Sequence, residues 1–309
     1  MKVEESVPLA QLTTFKVGGS ALYFIEVTHQ DDLGAALDYA QTRNLPYVLL
    51  AGGSNVLVKD SGFSGVVIHL RFEHFSIDQG KCIVSADAGA SLMEVIEATT
   101  NENLMGMESM YGIPGTIGAA IRGNAGAFGT EVKDVLLEAT ALNIETREIK
   151  RFSNDSCSFS YRSSFFKKNP SWIVLSGVFA LRADTEELAK ARAEETLALR
   201  NERQIQNIQS AGSFFMNPLV SNELQELFEK EKGTPARENR VPAGWLIDKS
   251  GLKGFCENGA CTGVRSANYI LNDGTASAQS IKDLAEKIQN TVFDTFGVEL
   301  QEEVTLIGF

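Results

Sequence analysis

The stretch from Ile113 to Asn124, running on to Gly129, constrains this chain more than any other. Glycines at 112, 115, 118, 123 and 126 punctuate it so densely that the spacing predicts no helix or strand through it. A glycine can bring its backbone against a ligand, or adopt a positive φ, without a Cβ penalty. A second loop, Ala51-Gly-Gly-Ser-Asn55, directly follows the apolar run Tyr47-Val-Leu-Leu50. Two glycine-rich loops, one on a strand end, fit a long phosphorylated cofactor held by backbone N–H groups. Either loop alone reads better as a tight turn. Neither carries the G-x-G-x-x-G or G-x-x-x-x-G-K-[ST] pattern of the common nucleotide folds.

At 309 residues the chain exceeds one ordinary core and implies two or three domains. A net charge of −12 argues against a general nucleic-acid binder, though not against a local basic pocket. The N-terminus shows no secretory signal, and no apolar run reaches membrane-spanning length. Cys82, Cys157, Cys256 and Cys261 lack C-x-x-C spacing and are expected as inert thiols. His29, His69 and His74 form no metal motif, so no metal site is expected.

Residues 21–27 read as a strand, and 33–40 as a helix capped by Asp31 or Asp32. Strands follow at 47–50, 55–58 and 65–70, completing a small unit of βαββ kind. A helix from Ser91 precedes the second glycine loop. Strands at 137–144, 148–152 and 172–180 then dominate, and the whole reads as α+β. A helix from Asp184 to about Arg203 leads to a last region. That region has helices near 222–232 and 243–250, strands near 262–264 and 268–271, and a helix over 278–296 stopped by Gly297. A final strand is expected over 298–307.

Three later segments carry reactive side chains. Arg162, flanked by Tyr161 and Phe165, reads either as a rigid fork for a carboxylate or as an exposed strand arginine. Ser213, after Gly212 and before Phe214 and Phe215, reads as a hydroxyl in a dry pocket or as a turn serine. Glu303 is expected on the same strand face as Gln301, unless it is a solvated edge carboxylate. No histidine accompanies Ser213, which removes the base of a serine hydrolase. Serine with an acid and an arginine suits proton donation to a carbanion.

Taken in order, these segments resemble the UDP-N-acetylenolpyruvoylglucosamine reductase (MurB) family of flavoenzymes in peptidoglycan precursor synthesis. The matching pieces are Thr13-Thr-Phe-Lys-Val-Gly-Gly19, Ala51 to Leu57, Gly112 to Gly118, Asn124 to Gly129, Tyr161-Arg162, Ala211 to Pro218, Ala243 to Asp248, Gly251 to Gly254, and Glu302-Glu-Val304. Each is weak alone, but together they span nearly the whole chain.

The resemblance implies an FAD-binding fold of the vanillyl-alcohol-oxidase type in two subdomains, 1–70 with 297–309 and 71–200, plus a C-terminal α/β substrate domain at 201–296. It implies FAD, NADPH and a UDP-sugar as ligands, in a cytoplasmic monomer with no nucleic-acid or membrane partner. Ser213 would protonate the carbanion or enol, while Glu303 and Arg162 polarise the substrate carboxylate. FAD would meet Gly52, Gly53, Ser54, Asn55, Ile113, Pro114, Gly115, Thr116, Gly118, Asn124, Gly126 and Arg200, its pyrophosphate on the backbones of 52–55 and 115–118. The UDP-sugar would meet Tyr161, Arg203 and Asn217.

The interval between Arg162 and Arg200 leaves no room for a substrate-covering tyrosine loop, so the resemblance is to the shorter branch. Met216 stands where a lysine is common, Ser266 where a histidine often begins the tetrad, and Arg122 is an unusual charge in the second loop. Two rival readings are an FAD-dependent oxidase of an alcohol and a non-catalytic flavin or UDP-sugar binder.

Overall fold

The computed structural model describes residues 1–184, 188–203 and 209–309, the side chain of Arg203 excepted. The chain is α+β and packs as two units. The first comprises Met1–Val7, Ala21–Gly53 and Ser64–Glu202; the second comprises Pro8–Ser20, Ser54–Phe63 and Arg203–Phe309. Among the described residues no helix is long and apolar enough to cross a membrane.

The first unit holds a four-stranded sheet ordered Val3–Pro8, Ser20–Val27, Phe63–Leu70, Tyr47–Leu50. Its helix Asp32–Thr42 buries Leu33, Ala36, Leu37 and Ala40, the periodic positions. Asp31 is its N-cap residue but makes no side-chain capping bond, contrary to expectation. Tyr47–Leu50 and Phe63–Leu70 are parallel neighbours, with Leu50 opposite His69. A hairpin cannot join parallel strands. The chain leaves this unit after Gly53, runs through the strand Val56–Val58 and returns at Ser64. Val56–Val58 therefore does not join the expected βαββ sheet. It pairs in parallel with Thr305–Ile307 in the second unit.

A five-stranded antiparallel sheet completes the first unit, in the order Ile149–Ser153, Leu136–Asn143, Trp172–Ala180, Ile83–Asp87, Phe75–Asp78. The helix Leu92–Asn101 starts at Ser91, whose hydroxyl accepts from the Glu94 N–H. The glycine-dense stretch does not exclude a helix: Ile117–Gly123 is helical. It buries Ile117, Ala120 and Ile121. Burying each large apolar side chain is worth about 1.5–3 kcal/mol, which outweighs about 1 kcal/mol per helical glycine. Arg122 falls in its last turn, where a cation complements the helix C-terminus.

In the second unit, a three-stranded sheet (Cys256–Glu257, Ala260–Thr262, Ile270–Asn272) packs against the helix Ala278–Phe296. That helix buries Ile281, Leu284, Ala285, Ile288 and Val292. Its N-terminus takes the Asp60 carboxylate, which accepts from the N–H groups of Ala278 at 2.8 Å and Gln279 at 3.0 Å. Gly297 ends it at φ +65°. Cys256 and Cys261 are not free thiols. They face each other across a hairpin turned by Asn258-Gly259 and form a disulfide. Asn-Gly, with both φ values positive, is the turn that favours such a hairpin.

Candidate active site

The two glycine loops meet within the first unit. Gly53 has φ +61° and Gly115 φ +123°, conformations that L side chains adopt with strain. A Cβ placed on Gly52 would lie 3.2 Å from the Gly115 Cα, so these backbones approach directly. Beneath the first loop sits His69, 6% exposed, with Nδ1 3.5 Å from Glu26 Oε2. Burial, and then the Arg71 charge, push its imidazole below the ordinary range, against the pull of Glu26 and the Ala51 backbone.

The second loop departs from the expected anion cradle. The N–H groups of Ile117 and Gly118 donate to the carbonyls of Ala90 and Ala88, each at 2.9 Å. Gly118 is small for packing: a Cβ there would lie 2.6 Å from the Ala88 Cβ. Within the stretch 115–118, the N–H groups of Ile117 and Gly118 are thus used by the fold itself. Ile113 donates its N–H to Met110, which fixes the turn before Pro114. Gly112, at φ +84°, packs on Arg200, whose Cδ would be 2.9 Å from an added Cβ.

Asn124 caps the helix Ile117–Gly123 at φ +45° and is fully buried. Its Nδ2 donates to Glu131 Oε2 at 2.8 Å and to the Ser160 carbonyl at 3.2 Å, while its Oδ1 accepts from the Lys133 N–H at 3.0 Å. This amide braces the loop against the next segment. There Ser160 and Ser163 exchange backbone bonds at 3.0 Å around Tyr161 and Arg162. Arg162 has φ +51°, a strained conformation for a side chain of this kind. Its guanidinium lies 5.2 Å from the Tyr161 ring centroid, and its Nη2 donates to the Gly126 carbonyl at 3.2 Å. The fork is therefore held, and not by a strand.

Ser213 and Glu303 belong to the second unit, and their segments are neighbours. Phe215 pairs with Glu302 in an antiparallel bridge. The Glu303 N–H donates to the Phe214 carbonyl at 2.8 Å, and the Met216 N–H to the Gln301 carbonyl at 2.9 Å. On its other side Ser213 bridges Tyr269. The buried Asn268 locks this arrangement: Oδ1 accepts from the Phe215 N–H at 3.0 Å and Nδ2 donates to the Phe215 carbonyl at 2.8 Å. Nothing in the sequence reading singled out Asn268, which lies inside the tetrad noted only for Ser266.

Ser213 is exposed, so the dry pocket is a correction; Phe214 and Phe215 turn into the core and leave the hydroxyl outside. The long final strand is also absent. Only Thr305–Ile307 is strand, and Glu302 makes a single bridge. Gln301 lines a cleft of about 800 Å³ together with Met216, Asn217, Leu219, Arg240 and Glu299. Glu303 is not among its lining residues. Asn217 accepts the Ala243 N–H on Oδ1 at 3.0 Å and caps the helix Ala243–Lys249. Arg203 ends the helix Ala189–Arg203, and its side chain lies outside the described residues.

Lys282 braces the segment before the strand Thr305–Ile307. It pairs with Glu302 at 3.2 Å and Glu286 at 3.0 Å. Burial alone would lower the Lys282 pKa; the bonds to Glu286 and Glu302 outweigh it and raise it.

The FAD binding domain family matches residues 21–153, and the C-terminal domain of UDP-N-acetylenolpyruvoylglucosamine reductase matches residues 203–307. The UDP-N-acetylenolpyruvoylglucosamine reductase of Pseudomonas putida is 35% identical, with 98% of each chain covered. The chain belongs to the MurB family. The Acaryochloris marina reductase is likewise 35% identical, over 99% of this chain and 93% of that one. The crystal structure of MurB from Thermus caldophilus superposes with a TM-score of 0.77 at 28% identity, covering 99% of both chains. The α+β class and the FAD-binding and C-terminal domains follow from membership, and neither the oxidase nor the non-catalytic reading is favoured. The glycine contact of Gly52 with Gly115, which any side chain would crowd, fits a slender backbone cradle for FAD.

Proposed function

We propose that this chain reduces UDP-N-acetylglucosamine enolpyruvate to UDP-N-acetylmuramate with NADPH and FAD. The observation that carries the reading is the backbone pairing of the Ser213 segment with the Glu303 segment, in the region matched by the MurB C-terminal domain. It sets a hydroxyl and a carboxyl on adjacent, braced stretches of chain. Bound FAD supplies hydride transfer from NADPH to the enolpyruvyl group. Ser213 then gives its proton to the substrate carbanion or enol. Glu303 and Arg162 act on the substrate carboxylate, onto which that negative charge spreads. A group fixed before the charge develops costs no reorganisation when it does.

FAD is held by the backbones of Gly52, Gly53, Ser54, Asn55, Gly115 and Thr116, with Ile113, Pro114 and Arg200 beside them. Gly118, Asn124 and Gly126 contribute by shaping the loop. Tyr161, Arg203 and Asn217 receive the UDP-sugar. The segments 1–70 with 297–309 and 71–200 serve the flavin, and 201–296 the sugar. The enzyme works as a monomer in the cytoplasm, apart from nucleic acid and membrane; the net charge of −12 supports the former.

The test is the absorbance of the purified protein. Flavin bands should bleach on anaerobic NADPH addition and return on adding the enolpyruvyl sugar. Return only with oxygen would favour an oxidase.

A further inference from the structure

Asn55 follows the glycines of the first loop, and the sequence reading gives it to the cofactor. Its side chain is engaged elsewhere. The Nδ2 donates to the Glu303 carbonyl at 3.0 Å. The Asn55 carbonyl accepts from the Thr305 N–H, also at 3.0 Å. These two bonds extend the parallel pairing of Val56–Val58 with Thr305–Ile307 back past the strand ends. All of these residues lie in the second unit.

Glu303 is thereby held from two sides. Its N–H goes to the Phe214 carbonyl at 2.8 Å, on the segment that carries Ser213. Its carbonyl takes the Asn55 amide. Its neighbour Glu302 is paired with Lys282 at 3.2 Å. Only two dihedrals per residue are soft, so fixing both backbone groups fixes where the Glu303 side chain starts. The Asn55 amide is the one side chain among these bonds to the Glu303 main chain, and so the one that substitution can remove cleanly.

We propose that Asn55 is a positioning residue for Glu303, tying the acid to the loop that follows Gly53. The proposal rests on the reading of Glu303 as a group acting on the substrate carboxylate. The donor matters, not the size. Asn55→Asp keeps the shape and the Thr305 bond but replaces the Nδ2 donor with an oxygen that repels the Glu303 carbonyl.

The test uses the flavin-loaded enzyme as Asn55→Asp, Asn55→Ala and Glu303→Gln. Stopped-flow absorbance follows both half-reactions, and amide exchange follows the Glu303 and Thr305 N–H groups. Both Asn55 variants should slow flavin reoxidation by the enolpyruvyl sugar about ten-fold more than flavin reduction by NADPH, the kinetic equivalent of one hydrogen bond. Reoxidation should also change its pH profile, and Glu303 amide exchange should quicken. Slow reoxidation in Glu303→Gln beside wild-type behaviour in Asn55→Asp overturns this proposal alone. Wild-type reoxidation in Glu303→Gln overturns the role of Glu303 and the proposal together. Loss of flavin from both Asn55 variants would assign the amide to the cofactor and overturn the proposal as well.

Discussion

Gly52 faces Gly115 backbone to backbone, with room for 3.2 Å between an added Cβ and the Gly115 Cα. A side chain on Gly52 must push the second loop aside. Gly52→Val should therefore purify with less bound flavin, read as the ratio of flavin to protein absorbance. Gly123→Ala is the control. A Cβ there meets nothing within 4 Å, so the variant should keep its flavin and gain about 0.4–1 kcal/mol in urea melts. Full flavin in Gly52→Val would place the cradle elsewhere.

Ser213→Ala should separate the half-reactions. Flavin reduction by NADPH needs no substrate proton and should be nearly intact. Reoxidation by the enolpyruvyl sugar should slow by about 10²–10⁴, the range of a positioned acid. Ser213→Cys should retain part of the rate, because a thiol can still donate. Equal slowing of both steps would make Ser213 a structural residue.

Arg162 spends backbone strain to hold its fork at φ +51°. Arg162→Gly relieves about 1 kcal/mol of that strain and loses a hydrogen bond of similar size to the Gly126 carbonyl. Its melting temperature should stay close to wild type while reoxidation by the sugar collapses. A large fall in melting temperature with activity kept would make the turn merely structural.

Arg203→Ala should raise KM for the UDP-sugar about ten- to hundred-fold, the worth of a charge-assisted contact with a diphosphate. KM for NADPH should barely move. If the sugar KM is unchanged, the diphosphate contact belongs to another cation.

His69 gives a pH dependence with a definite sign. Burial lowers its folded pKa, so the unfolded chain binds the proton more readily. Its stabilising contribution is whole above the unfolded value of about 6.5 and is lost as pH falls through the folded value. Wild type should lose more stability between pH 7.5 and pH 5 than His69→Phe, measured by chemical denaturation. Parallel losses in the two proteins would mean that His69 does not titrate in this window.

The sequence by itself determined the elements whose signals are local. The helix at 278–296 stands where its apolar periodicity and Gly297 put it, because a buried stripe and a terminating glycine are written in the local chain. The order of motifs was enough to indicate the family. Tertiary structure decided the partners. The strand at 56–58 was legible, but its neighbour at 305–307 was not, since alternation marks a face and not which strand will lie beside it. Glycine was ambiguous for the same reason. Gly115 is needed for its φ and Gly118 for its contact with Ala88, and the two read identically in sequence. Ser213 and Glu303, far apart in the chain, became neighbours in the fold, where backbone hydrogen bonds that carry no side-chain signature join their segments.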